Sequence, residues 1–332
     1  MLMRYSTGFC LLMSLAWMGC SKSSDDTTTV GNWMHKVDFK GVARSEAVSF
    51  SINDTAFVGT GYDGTNRLKD FFSYDADKNT WTQRASLPDA APGRMSGVAF
   101  AVNGKGYTGT GTNGIDKYKD FYEYDPATNA WTAITDFPGT ARYDAVGFAV
   151  SGNGYVSTGY DGNWLNDTWK FNPGSKSWSE AGDVPNSKRS AAVAFVIGDS
   201  AYIVTGSSNT QTVNEMSRLD GKSSLWAPKR PVTNVSDDSY DDDYTSIEGT
   251  NGAAFVMNNK GYLVTTANTV WEYDPIQDLW TLKQPMESGT SRSGAVGFTI
   301  KNKGFITTGA SGAIQLSDTW QFDPLADLIK ND

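Results

Sequence analysis

Histidine and cysteine are nearly missing from this chain: its 332 residues hold one histidine, His35, and two cysteines, Cys10 and Cys20. Copper or zinc sites built from imidazole or thiolate therefore lack ligands, and a Ser-His-Asp arrangement lacks its base. The chemistry left belongs to carboxylate, tyrosine, lysine or arginine. No disulfide can brace the region after Cys20. Positive charge is also short, with a net charge of −9. Without a basic stripe to neutralise phosphates, nucleic acid is excluded as a partner, and the acidic surface serves solubility. Amphipathic helical stretches of useful length are absent. The one sustained apolar run, Gly8 to Met18, is too short to span a bilayer as a stable anchor.

What the chain has instead is a period of about fifty residues, marked by Trp33, Trp81, Trp131, Trp178, Trp226 and Trp280. An aromatic segment ending in Asp precedes the tryptophan by six residues, as in Phe71 to Asp75 before Trp81 and Phe121 to Asp125 before Trp131. In one repeat, Ala145 to Ser151, Asn153 to Tyr160 and Asp167 to Asn172 read as successive strands, and Trp178 opens a fourth. Asn-Gly, Asp-Gly and Asp-Pro turns bound these runs. Four short strands per unit make a propeller blade, so the chain is expected to be all-β, with six blades.

The pattern resembles the kelch repeat over residues 31 to 330. The resemblance rests on Thr60-Gly61, Thr110-Gly111, Thr158-Gly159, Thr205-Gly206 and Thr308-Gly309, each followed by a tyrosine or related residue and then by the tryptophan. It departs from the usual Gly-Gly pair, and the fifth repeat reads Thr265-Thr266. It implies one six-bladed β-propeller of four-stranded kelch-type blades across residues 31–332. Trp33 has no strands before it, and the last repeat ends at Ile329 where its tryptophan belongs, so the N-terminal strand is expected to close the ring.

Residues 1–20 have the outline of an export signal, with Arg4, the apolar run and Gly19-Cys20. The small residue before Cys20 resembles a bacterial lipoprotein cleavage site, with Cys20 as the lipidated N-terminus, although Trp17 and Met18 depart from it. Residues 21–30 read as a flexible tether whose Lys22 to Asp26 resembles a signal for outer-membrane surface display. The expected location is the outer membrane of a bacterial envelope, with membrane contact only through the lipid.

Arg44, Arg94, Arg142, Arg189 and Arg292 each stand six residues before a first-strand phenylalanine, and Asp70, Asp120, Asp167, Glu215 and Asp318 open the matching third strands. The fifth repeat loses both together, with Gly249 and Thr269. Joint loss points to pairing in preference to a ligand-binding ring. The same repeat carries an insertion: Trp226 to Phe255 is 29 residues where other repeats take 17 to 19, while Tyr262 to Trp280 is trimmed to 18 from 23 or 24. Loops reshaped on a rigid scaffold are where function sits, so the loop face near the fifth blade is the expected site. Asp237, Asp238, Asp241, Asp242 and Asp243 in the insertion offer the oxygens calcium prefers, or simply a solvated acidic loop.

Candidate ligand contacts on that face are Tyr62, Asp63, Tyr118, Tyr160, Asp161, Trp164, Tyr240 and Tyr244, because flat aromatic faces beside carboxylates suit sugar rings. Large residues in such loops can equally cap a neighbouring blade. Copper radical oxidases such as galactose oxidase share this type of propeller, but their ligands are missing here. Sialidase Ser-x-Asp-x-Gly-x-Thr-Trp boxes are absent as well. The main expectation is a noncatalytic, monomeric module recognising a glycan or a surface protein. The alternative is a sugar epimerase or mutarotase resembling the kelch-type sialic acid epimerases, which need neither metal nor histidine. A buried Glu or Asp of raised pKa inside a pocket would distinguish it. A third reading is a protein-interaction scaffold in a surface assembly, with a flat apolar loop face.

Overall fold

The computed structural model describes residues 30–244, 247, 249–286 and 291–329. The expected signal peptide, Cys20 and all but the last residue of the tether lie outside the described residues. Six four-stranded antiparallel sheets are arranged as blades, their innermost strands beginning at Val48, Val98, Val146, Val193, Ala253 and Val296. The first blade runs outward as Val48–Ile52, Thr55–Gly59, Phe71–Asp75 and Thr80–Arg84. Alternation within the inner strand is strict: Val48, Phe50 and Ile52 are buried, while Ser49 and Ser51 face the axial shaft.

The blades are sealed by aromatic packing. Phe50 stacks on Phe57 at 5.1 Å, and each other blade repeats the pair. A Cβ on Gly106 would lie 2.3 Å from Phe50 of the preceding blade, so a glycine is what lets the two blades approach. The outer tryptophans complete these seams, Trp131 lying 4.7 Å from Phe71.

The expectation of closure by the N-terminal strand needs correction. No sheet among the described residues closes on itself; each blade is an open sheet of four strands. Asn32–Lys36 is added as the outermost strand of the last blade, pairing Trp33 with Phe322. Closure occurs at the axis instead. Glu46, Ser96, Asp144, Ala191, Asn251 and Gly294, one before each inner strand, all take left-handed φ angles of 52° to 62°. The N–H of each donates to the carbonyl of its counterpart in the preceding blade at 2.8 to 3.0 Å, Glu46 to Gly294 included, so the hydrogen bonds run around the ring without a break. Five of these residues are not glycine, and the cooperative crown offsets the strain of holding them there.

The five arginines are buried behind the crown. Arg44, Arg94, Arg142 and Arg292 grip Asp70, Asp120, Asp167 and Asp318 with both guanidinium ends, while Arg189 reaches Glu215 through Nη2. Each also donates Nη1 to the carbonyl of the Thr-Gly threonine, for example Arg44 to Thr60 at 2.9 Å. These threonines take φ near 60°, a conformation that favours glycine, and the arginine anchors the carbonyl that it turns inward. In the fifth blade Thr265 and Thr269 hydroxyls pair at 2.7 Å, and Val232, Tyr244 and Ile247 fill the seam.

Candidate functional site

A cavity of about 600 Å³ opens on the arginine face, off the ring axis, among the sixth, first, second and third blades. Its wall includes Tyr62, Ile115, Lys117, Tyr143 and Gln315, and at its base lie Glu46, Ser96 and Asp144 of the crown. The same three residues border a smaller axial space of about 100 Å³, with Asn251 across from them. An axial shaft of about 550 Å³ lies between the inner strands.

Left-handed backbone at the crown is shared with Ala191 and Gly294, but in the first and third blades the residue there carries a carboxyl group. The Ser96 hydroxyl donates to Glu46 Oε2 at 2.8 Å and also bonds the Asp144 carboxyl. Burial among the crown residues raises the Glu46 pKa, against the opposing effect of the Ser96 bond. Burial first, and the Glu46 charge second, push Asp144 up to about 7, again with Ser96 working the other way. A serine hydroxyl has one proton to donate and two lone pairs to accept with. The one Ser96 proton can be given to either carboxylate, and in the structure it is directed to Glu46. Two carboxyls of raised pKa joined by one hydroxyl are suited to hold a single proton between them and so to act as acid and base together.

Positive charge is set beside the same cavity. Lys117 lines it, and Arg67 packs its guanidinium 4.6 Å from the Tyr62 ring and against Gly114, both wall residues. The buried Arg67 Nε has no hydrogen-bond partner among the described residues. Arg67, Lys117 and Trp164 occupy equivalent places in the hairpins of three consecutive blades, bridged to Tyr62, Thr112 and Tyr160.

Of the expected contacts, Tyr62 lines the cavity. Asp63 is turned into its own hairpin, accepting the Thr65 and Asn66 N–H groups at 2.8 and 2.6 Å. Tyr118 packs against Arg94 at 5.1 Å. Tyr160, Asp161 and Trp164 stand half-buried beyond Tyr143. Tyr240 is covered by Arg230 at 4.5 Å, and neither it nor Tyr244 reaches the cavity. Tyr244 is corrected from ligand contact to core: it is 3% exposed, and its hydroxyl accepts the Trp280 N–H at 2.7 Å. The calcium expectation is corrected as well. Asp241 is buried and accepts the Val235 and Ser236 N–H groups, whereas Asp237, Asp238, Asp242 and Asp243 are exposed. Among the described residues no group of three or more His, Cys, Asp or Glu is placed to hold a metal. The insertion near the fifth blade is a structural plug in the seam that lost its arginine pair, and the cavity lies on the opposite side of the ring.

Glu46, Ser96, Asp144, Lys117 and Tyr143 are the residues sequence reasoning missed. A signal existed: two positions after each ring arginine or its replacement the repeats read Glu46, Ser96, Asp144, Ala191, Asn251 and Gly294. Two acids in a column otherwise small or neutral mark a change of role.

No family model matches the chain, and no curated protein matches it. Among solved structures 1053 chains match, so the fold is common and alone names no activity. One, reported as the structure of YjhT, aligns over 85% of this chain and 95% of its own with a TM-score of 0.68 and 17% identity, which places this chain with it as a six-bladed β-propeller. The expectation that the chain is noncatalytic is corrected: a half-buried carboxyl pair of raised pKa, the feature that distinguishes a catalytic propeller, stands at the base of a cavity, and the fold is shared with YjhT.

Proposed function

We propose that this protein is a sugar mutarotase or anomeric epimerase, the reading in which it resembles the kelch-type sialic acid epimerases, and that it acts on an acidic sugar. The observation that carries this is the arrangement at the cavity base, where the Ser96 hydroxyl joins the Glu46 and Asp144 carboxyls and burial raises the pKa of both. Anomer exchange needs a base to take the proton of the anomeric hydroxyl and an acid to protonate the ring oxygen as the ring C–O bond breaks. The open-chain carbonyl then turns, and the same two groups reverse their roles as the ring closes on the other face. Atoms balance without metal, cofactor or water. Lys117 and Arg67 supply positive charge for a sugar carboxylate, and arginine suits that planar partner.

The test is magnetisation exchange between the two anomers of N-acetylneuraminic acid, galacturonic acid and glucose, followed by NMR with and without protein. Accelerated exchange for an acidic sugar, lost in Glu46→Gln, is the expected result. Exchange at the buffer rate for all three sugars would sink the assignment.

The setting proposed with it is the outer membrane of a bacterial envelope, with Cys20 lipidated and residues 21–30 as the tether. Metabolic labelling with a tagged palmitate analogue should mark the wild type and not Cys20→Ser, and the variant should leave the membrane fraction. Equal membrane association of the two would end that proposal.

A further inference from the structure

Among the described residues, a run of three aromatic rings leads out of the cavity along the third blade. Tyr143 stands in the cavity wall next to Asp144, whose left-handed φ of 52° turns its own side chain to the base. The Tyr160 ring lies 5.6 Å from Tyr143, and the Trp164 ring 5.2 Å from Tyr160. Backbone pairing fixes this order: Tyr143 and Tyr160 exchange N–H to carbonyl bonds at 3.2 and 2.9 Å, and Tyr160 is bridged in turn to Trp164. In the neighbouring blades the corresponding places hold Ser45 with Tyr62 and Arg67, and Met95 with Thr112 and Lys117.

Packing of the fold does not account for the three rings. All three are half-buried, and none belongs to a hydrophobic cluster of the blades, including the one that holds Phe137, Trp169 and Trp178 nearby. A carboxylate is set at their side. Burial disfavours the charge on Asp161, but the Thr140 hydroxyl and the Asn163 N–H, the latter at 2.9 Å, outweigh it and hold its pKa below the usual range. At the hairpin tip, a Cβ on Gly162 would meet nothing within 4 Å, so the ground beside the track is open.

The rings follow one another edge to face, at 65° and 64°, so the track offers ring faces in alternating directions, and apolar sugar faces bind flat aromatic surfaces while a fixed carboxylate accepts from hydroxyls. We infer that Tyr143, Tyr160 and Trp164, with Asp161, form a subsite for the second and later residues of a saccharide whose reducing end occupies the cavity. This rests on the mutarotase reading for which end lies in the cavity. It makes the preferred substrate a short glycan and not a free monosaccharide.

Calorimetric titration of two homologous series tests it: galacturonic, digalacturonic and trigalacturonic acid, and glucose, cellobiose and cellotriose. The protein is Glu46→Gln, so that turnover does not blur the binding. In at least one series affinity should rise about tenfold from one residue to two or three, the gain expected of an aromatic contact. Trp164→Ala in that background should abolish the gain, and Trp164→Phe, which keeps a ring, should retain most of it. Melting temperatures equal to that of the parent would show that both variants fold. Affinity independent of length, a length gain that survives Trp164→Ala, or no binding by any multi-residue member would each overturn the subsite. Anomer exchange in the wild type is scored separately: a length gain without exchange leaves the subsite and removes the mutarotase, and exchange without a length gain does the reverse.

Discussion

Arg94→Met should lower the stability of the propeller by about 3 kcal/mol, the low end of the usual cost of removing one partner from a buried ion pair because Asp120 keeps 28% exposure, and Asp120→Ala, which strands a fully buried arginine, should cost at least as much. Arg94 is 0% exposed and holds both Asp120 oxygens, at 2.7 and 2.6 Å. It also binds the Thr110 carbonyl at 3.0 Å, while Tyr122 donates to Asp120 at 2.8 Å. Methionine fills much of the volume but leaves the carboxylate without its counter-charge and Thr110, at a φ of 57°, without its anchor. The fifth blade shows what removal of both partners requires. Gly249 and Thr269 stand in the two places, and apolar residues of the insertion close the seam. The double variant Arg94→Met, Asp120→Ala should accordingly be more stable than the sum of its single changes allows, since no charge is then stranded. Urea titration of the four proteins reads the coupling directly. Single losses below about 1 kcal/mol, the level of exposed ion pairs, would mean that the arginines do not hold the blades together.

This pairing was legible in the sequence because arginine and carboxylate vanish from the same repeat. The six blades were legible for a related reason: tryptophan, tyrosine and Thr-Gly recur at fixed spacing, and each has a fixed place in the inter-blade seam. The site was less legible. Glu46 and Asp144 lie two repeats apart, and what brings them together is the crown, a ring of backbone hydrogen bonds at positions occupied by six different residue types. Backbone bonds leave no side-chain signature, so neither the mode of closure nor the direction of the residues on it could be read from residue types. The insertion misled because its charge is conspicuous and its buried residues, Val232, Tyr244 and Ile247, are not. Those buried residues fill the seam where the other blades carry an ion pair.

Asp144→Asn should act in the opposite sense to Arg94→Met, stabilising the protein at alkaline pH while removing its activity. A free aspartate titrates near 3.9, and the folded chain raises Asp144 to about 7. A raised carboxyl pKa means that the folded state holds the proton more tightly, so this group's contribution is fully present below about pH 4. It is lost as pH climbs towards 7, where the folded protein must accept a charge that burial and Glu46 oppose. Asparagine never takes that charge. The melting temperature of the variant should therefore match the wild type near pH 4 and exceed it at pH 8. Anomer exchange should fall at least about a hundredfold, the typical share of a positioned acid or base. In the wild type the exchange rate should be bell-shaped in pH, because the first proton lost from the pair creates the base and the second removes the acid. A variant less stable than wild type at pH 8 would show that Asp144 is held as a carboxylate anchor, and the shared proton, with the chemistry built on it, would have to be given up. Gain of stability with loss of turnover is the signature of a group placed where folding alone would not put it.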